Sequence, residues 1–143
     1  MIRKANKQDI NKIVDIWLEV SIIAHDFISS SFWESQVQNM KDIYIPNSLT
    51  YVIEYDSQIV GFYSLYKDTL AALFIKSQYQ SKGLGKKLLD DAKSKNNTLF
   101  LTVYKKNNKA CNFYLSNGFN IIKEHIDSNT NQEELEMKFE KIK

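Results

Sequence analysis

The chain is poor in the residues that force unusual architectures: one cysteine, one proline and four glycines among 143 residues. A single thiol, Cys111, leaves no intrachain disulfide, and one Cys with two well-separated His supplies no zinc-ligand spacing. So few Gly and Pro argue against long flexible linkers. No stretch approaches the roughly 18 apolar residues of a membrane span, and the polar N-terminus, Met1 to Asp9, lacks the apolar run of a signal peptide. An excess of one charge is missing too: 19 Lys and Arg stand against 17 Asp and Glu, and a net charge of +2 gives no global attraction to nucleic acid or to an anionic membrane. These absences lead us to expect a cytoplasmic chain with no metal, no nucleic-acid partner and no membrane partner.

What is present is the composition of a globular domain, with 43% hydrophobic and 25% charged residues. Eight Tyr and eight Phe favour a core that contains a sheet. At this length one domain, residues 1–143, is expected.

Ile10, Ile13, Val14, Trp17 and Leu18 repeat with helical period, and Asn6 with Asp9 three residues on marks the start of a first helix. Ser31 with Glu34 suggests a capping box for a second, burying Phe32 or Trp33, Val37, Met40 and Tyr44 and stopped by Pro46. Two helices are therefore expected before any strand. Tyr51 to Tyr55 and Ile59 to Leu65 then read as a hairpin around Asp56-Ser57-Gln58, and Leu70 to Ile75 as a third strand. Leu84, Leu88 and Ala92 recur at every fourth residue as a third helix, and Thr98 to Val103 is β-branched. A fourth helix begins near Asn107 and ends at Asn117-Gly118. Phe119 to Ile126 and Leu135 to Ile142 form the last strands, the second alternating apolar Leu135, Met137 and Phe139 with charged neighbours. The order describes a mixed α/β sheet.

The segment Gln80-Ser81-Lys82-Gly83-Leu84-Gly85-Lys86 lies between a strand and a helix. Glycines let backbone approach a ligand, and the first turn of a helix offers unpaired N–H groups and partial positive charge to phosphate oxygens. A Walker loop would need Gly at position 80, which is Gln, and Ser or Thr after the Lys, where Lys87 stands; a dinucleotide fingerprint would need Gly at position 88, which is Leu. Neither template fits, and a ligand-free turn is the plain alternative.

Gln80-Ser81-Lys82-Gly83-Leu84-Gly85 resembles the donor-binding motif of the GNAT superfamily of acetyltransferases, small bacterial-type members in particular. Asn107, Ala110, Phe113-Tyr114 and Gly118-Phe119 are similar to that family's second signature, and Ala24-His25-Asp26-Phe27-Ile28 resembles a segment of its small members. The resemblance implies a GNAT-type mixed, mostly antiparallel central sheet flanked by helices on both faces. It implies acetyl-CoA as co-substrate, with Phe74 and Ile75 pairing their backbone with the pantetheine amides and the stretch from Gln80 through Ser81, Lys82, Gly83, Leu84, Gly85 and Lys86 holding the pyrophosphate. Asn107, Ala110 and Phe113 would line the pantetheine arm. Tyr114 would act as general acid to the departing thiolate while an amine attacks the thioester directly. Members often carry an acidic residue or His and then Pro after the strand, where this chain has Lys76 and Ser77.

From helical position alone Tyr114 also reads as a core aromatic, Lys82, Lys86 and Lys87 as solvated lysines, and Cys111 as a passive thiol. His25 is the candidate general base, because His titrates near neutrality; a structural histidine is the other reading. Tyr44, Glu54, Tyr104 or a water chain are weaker candidates. Aromatics near the N-terminus suggest an enclosed pocket and a small-molecule amine acceptor. Acetylation of protein N-termini or lysines, and a non-catalytic acyl-CoA sensor, are the alternatives, and a homodimer is compatible with the sequence.

Overall fold

In the computed structural model, which describes residues 1–142, the strands form one sheet of order β1-β2-β3-β4-β5-β7-β6. Along the chain run β1 (Ile2–Lys4), α1 (Ile10–Ala24), α2 (Ser30–Ser35) and a short α3 (Val37–Asn39) that continues into a π-helical turn (Met40–Tyr44). There follow β2 (Leu49–Tyr55), β3 (Gln58–Tyr66), β4 (Thr69–Ile75), α4 (Leu84–Lys95), β5 (Thr98–Tyr104), α5 (Asn108–Ser116), β6 (Asn120–Asp127) and β7 (Gln132–Glu140). Every neighbouring pair is antiparallel except β4 with β5. The expected mixed, mostly antiparallel α/β sheet is what forms. No helix among the described residues is long and apolar enough to cross a membrane.

Local chemistry explains most of the elements. Asn6 and Asp9 close a reciprocal capping box ahead of α1, and Arg3 anchors Asp9 with two hydrogen bonds of 2.8 and 3.1 Å. The β2–β3 hairpin turns through Asp56 and Ser57, both at positive φ, as a two-residue turn requires. α1 and α2 bury Ile13, Trp17 and Trp33 against Val52 and Phe62 on one face of the sheet. α4 and α5 bury Leu88, Leu89 and Tyr114 against Tyr63, Leu99 and Met137 on the other. Each fully buried large apolar side chain contributes about 1.5–3 kcal/mol.

Three expectations are corrected. A strand does precede the helices: β1 is three residues long, too short for any periodicity, and exists because β2 offers it an edge, pairing Ile2 with Ile53. The second helix is capped by Ser29, whose Oγ accepts from Ser31 N–H, instead of by a Ser31–Glu34 box. Tyr44 is 52% exposed. The π-helical turn, closed by Ile45 N–H donating to Met40 O at 3.0 Å, advances the frame by one residue and buries Ile45 in its place.

One further feature positions the site. β4 and β5 are in register at Thr69 and Phe100, with Phe100 N–H donating to Asp68 O at 2.9 Å, and part beyond that point.

Candidate active site

A cleft of about 660 Å³ opens where β4 and β5 part. Leu73, Phe74 and Ile75 of β4 form one wall, Gln80, Ser81, Gly83, Gly85 and Lys86 the next, Asn107, Ala110, Phe113 and Tyr114 the third, and Val20, Ile23 and Ala24 of α1 complete it. Two motif segments about twenty residues apart in sequence thus meet in space.

The glycine segment is a helix start with its amides open. The first bond of α4 is Lys87 N–H to Gly83 O, at 3.2 Å, so the N–H groups of Leu84, Gly85 and Lys86 precede the ladder. Ser81 at φ +65° and Gly83 at φ +81° turn the loop. A Cβ on Gly83 would meet nothing within 4 Å, so glycine is required there by backbone conformation, not by lack of space. Lys82 is exposed and does not line the cleft, and the Leu84 side chain is buried in the core. Leu84 therefore offers a ligand only its backbone, while the Lys82 side chain lies in solvent outside the cleft wall.

The backbone of β4 corrects one assignment. Lys76 N–H donates to Val60 O at 2.8 Å, and the register pairs Phe74 with Phe62 and Ile75 with Gly61. Antiparallel alternation then turns the N–H and C=O of Phe74 toward β3, and those of Leu73 and Ile75 toward the gap. Leu73, not Phe74, therefore shares the cleft-facing backbone with Ile75. The Phe74 side chain stacks on Phe62 with centroids 5.7 Å apart.

Gln80 joins three walls: its Nε2 donates to Ile75 O at 2.9 Å and its Oε1 accepts from Lys109 Nζ at 2.7 Å. Lys86, Lys106 and Lys109 line the cleft, and no Asp or Glu among the described residues does. That charge balance suits an anionic ligand. Lys106, Asn108 and Lys109, with Leu73, Val20, Ile23 and Ala24, are the lining residues that motif reading missed. Their signals were present but unspecific: the lysines flank Asn107, and Val20 and Ala24 fall a turn and two turns beyond Trp17.

Tyr114 lines the cleft although it is only 9% exposed, and burial pushes its phenol well above the ordinary range, so it stays protonated. Asn107 caps α5, its Oδ1 accepting from Ala110 N–H at 3.2 Å, while its Nδ2 lies 3.2 Å from His25 Nε2. His25 stands behind Asn107 and is not on the cleft wall. Its ring stacks on Trp33 at 5.0 Å with Phe27 and Tyr104 edge-on, and burial lowers its pKa to about 4, with the Ser21 backbone opposing weakly. Accepting from Asn107 needs Nε2 unprotonated, which puts the hydrogen on Nδ1, a buried atom whose approach to the Ser21 backbone falls short of hydrogen-bond geometry. A ring so placed is neutral and is not built to collect a proton, which corrects the expectation of a base titrating near neutrality.

The weaker base candidates also stand off the cleft. Glu54 pairs with Arg3 at 3.2 Å, and Tyr104 donates to Asp127 at 2.8 Å with its phenol raised by burial and that carboxylate. The Cys111 thiol is raised by burial, as a passive thiol would be. Among the described residues no three His, Cys, Asp or Glu are grouped to hold a metal ion.

Residues 46–121 match the family model described as "Acetyltransferase (GNAT) domain". The chain is 34% identical to the peptidyl-lysine N-acetyltransferase YiaC of Escherichia coli K12, over 85% of this chain and 84% of that one. Its fold is similar to the solution structure of apo YjaB from Escherichia coli, with TM-score 0.86, 24% identity and coverage of 99% and 98%. It is similar also to PaiA N-acetyltransferase from Thermoplasma acidophilum in complex with coenzyme A, with TM-score 0.81, 22% identity and coverage of 98% of both chains.

Proposed function

Since the chain belongs to the GNAT acetyltransferase family and is an acyltransferase by that membership, we propose that it moves the acetyl group of acetyl-CoA to a primary amine by direct attack in a ternary complex, in the cytoplasm. The observation that carries this reading is the parted β4–β5 edge, with the open amides of α4 at one end and Tyr114 beside it. A lysine side chain of a protein is the preferred acceptor, because a relative 34% identical is named for that activity. A small free amine, favoured by the sequence reading, is the second.

The residues present fit an anionic pantetheine donor: open N–H groups and three lysines suit phosphates, and Leu73 and Ile75 offer strand-like partners to amides. Bound there, acetyl-CoA supplies an activated acyl carbon and a thiolate leaving group. The N–H groups from Ser81 to Lys86 hold the pyrophosphate, and Asn107, Ala110 and Phe113 border the arm. Ile75 N–H, turned to the gap, stabilises charge developing on the carbonyl oxygen. The Tyr114 phenol donates its proton to the sulfur as the carbon–sulfur bond breaks. The proton of the attacking amine goes to water, because His25 lies behind Asn107, and Tyr114 regains its proton from water once the thiol has left.

The test is a thermal titration with acetyl-CoA. At 100 times its dissociation constant the donor stabilises by about 2.7 kcal/mol, a shift of about 8 °C for a chain of this size. Gly83→Val, which forces a branched residue to positive φ where the phosphates approach, removes the shift while circular dichroism shows a folded protein. No shift with acetyl-CoA, alongside a shift with ATP or NAD, refutes the donor. Thiol release with lysine peptides, compared with free amines, decides the acceptor.

A further inference from the structure

His25 does not line the cleft and is not built to take a proton, yet the fold fixes both its backbone and its ring. Its N–H donates to Ser21 O and its carbonyl accepts from Ile28 N–H, each at 3.0 Å. Its ring stacks on Trp33, and Phe27 and Tyr104 meet it edge-on at 5.8 and 5.1 Å. Such a cage would hold a phenyl ring at less cost than an imidazole, whose nitrogens give up water on burial. The polar contact that the imidazole makes is with Asn107, 82 residues further along the chain, at 3.2 Å.

The polarity of that contact is forced from the far end. Asn107 Oδ1 is turned to α5 by the N–H of Ala110, so the Nδ2 end of the same amide faces His25. Nδ2 can only donate, and His25 Nε2 must therefore accept. The opposite arrangement, with a hydrogen on Nε2 and Oδ1 turned to it, would set Nδ2 against the Ala110 N–H, donor against donor. Held at both ends, the Asn107 amide has one orientation.

The loop between β5 and α5 leans on the same cage through its neighbours. Lys106 Nζ lies over the Phe27 ring, 5.7 Å from the centroid, and Asn107 N–H donates at 3.0 Å to the carbonyl of Tyr104, whose ring borders His25. Asn107 itself lines the cleft with Ala110 and Phe113. With one Nδ2 hydrogen given to His25 and one Oδ1 lone pair to Ala110, a hydrogen and a lone pair remain on a fixed amide. Those are the groups that the amides of a pantetheine arm can use.

Resting on the reading of acetyl-CoA as the donor, we infer that His25 is a positioning residue whose unprotonated Nε2 locks the Asn107 amide in the orientation that receives the pantetheine arm. It acts through Asn107 on donor binding and not on the proton of the attacking amine. The imidazole fits this task because it carries an acceptor on a flat ring that the aromatic cage can clamp, and a phenyl ring carries none.

Calorimetric titration of the full chain with acetyl-CoA tests this without turnover. His25→Phe keeps the ring and loses the acceptor, and is expected to weaken acetyl-CoA binding about tenfold, because the donor must then order an amide that the protein no longer holds. In turnover the loss is expected in the KM for acetyl-CoA and not in kcat, the reverse of what a lost base gives. His25→Gln, whose Oε1 can stand where Nε2 stood, is expected to recover most of the affinity. Asn107→Ser keeps a cap for α5 but has no amide to offer, so adding His25→Phe to it is expected to change affinity little further. A folded His25→Phe that binds like the wild type, a His25→Gln no better than His25→Phe, or an equal loss in the Asn107→Ser background overturns the inference; a wild type that binds no acetyl-CoA refutes the donor itself. In the unsubstituted protein, nitrogen NMR of the His25 ring is expected to show the hydrogen on Nδ1, and finding it on Nε2 overturns the inference whether or not the variants fold.

Discussion

His25 offers a measurable consequence of burial. Its pKa falls from 6.5 in the unfolded chain to about 4 in the fold, chiefly by desolvation beneath Trp33, Phe27 and Tyr104. Because the folded value is depressed, the unfolded chain binds a proton that the folded chain refuses between these two values. The associated stability is present above pH 6.5, falls as pH drops through the window, and is gone below about pH 4. Integrating the linkage from about pH 7.5 to about pH 4.5 gives a loss of roughly 2.5 kcal/mol from this one group. His25→Phe keeps a ring against Trp33 but cannot titrate. Urea unfolding of both proteins at the two pH values is the assay, since carboxylates common to both cancel in the difference. The wild type is expected to lose about 2.5 kcal/mol more than His25→Phe between the two pH values. Equal acid slopes refute the neutral, buried histidine, and an ionisation near neutrality in kcat/KM that vanishes in His25→Phe restores it as the proton acceptor.

Tyr114→Phe preserves the ring packing against Phe113 and Phe119 and removes the proton donor, so kcat is expected to fall about 100-fold with the KM for acetyl-CoA little changed. Full turnover of that variant across the neutral range removes Tyr114 from the mechanism. Gly61→Ala places a Cβ 2.7 Å from Phe74 O and against Ile75 Cδ1, a clash with strand backbone that costs about 1–3 kcal/mol. Because Ile75 faces the cleft, weaker acetyl-CoA binding should accompany the lower urea midpoint; an unchanged midpoint contradicts the tight β3–β4 packing.

Features that depend on near neighbours were legible in the amino-acid order. The Asn6–Asp9 box, the Asn107 cap, the Gly118 helix end and the hairpin at Asp56-Ser57 are each closed within a few residues, so their chemistry can be read from residue type and spacing. The same holds for the glycine segment ahead of α4, whose amides stay open wherever that helix is placed, and for the alternation that buries Leu135 and Met137. Tertiary structure alone decided the rest. β1 is a strand because β2 lies beside it, and β7 enters between β5 and β6 because pairing is settled by partners distant in the chain. β4 parts from β5 beyond Thr69 and Phe100, which makes the cleft, and the pairing of β4 with β3 leaves the backbone of Leu73 and Ile75 facing the gap. Tyr44 left the core through one π-turn, and His25 lost its titration near neutrality to aromatic neighbours as far away as Tyr104. Strand pairing and desolvation are set by what surrounds a residue in space, and residue spacing along the chain carries no record of it.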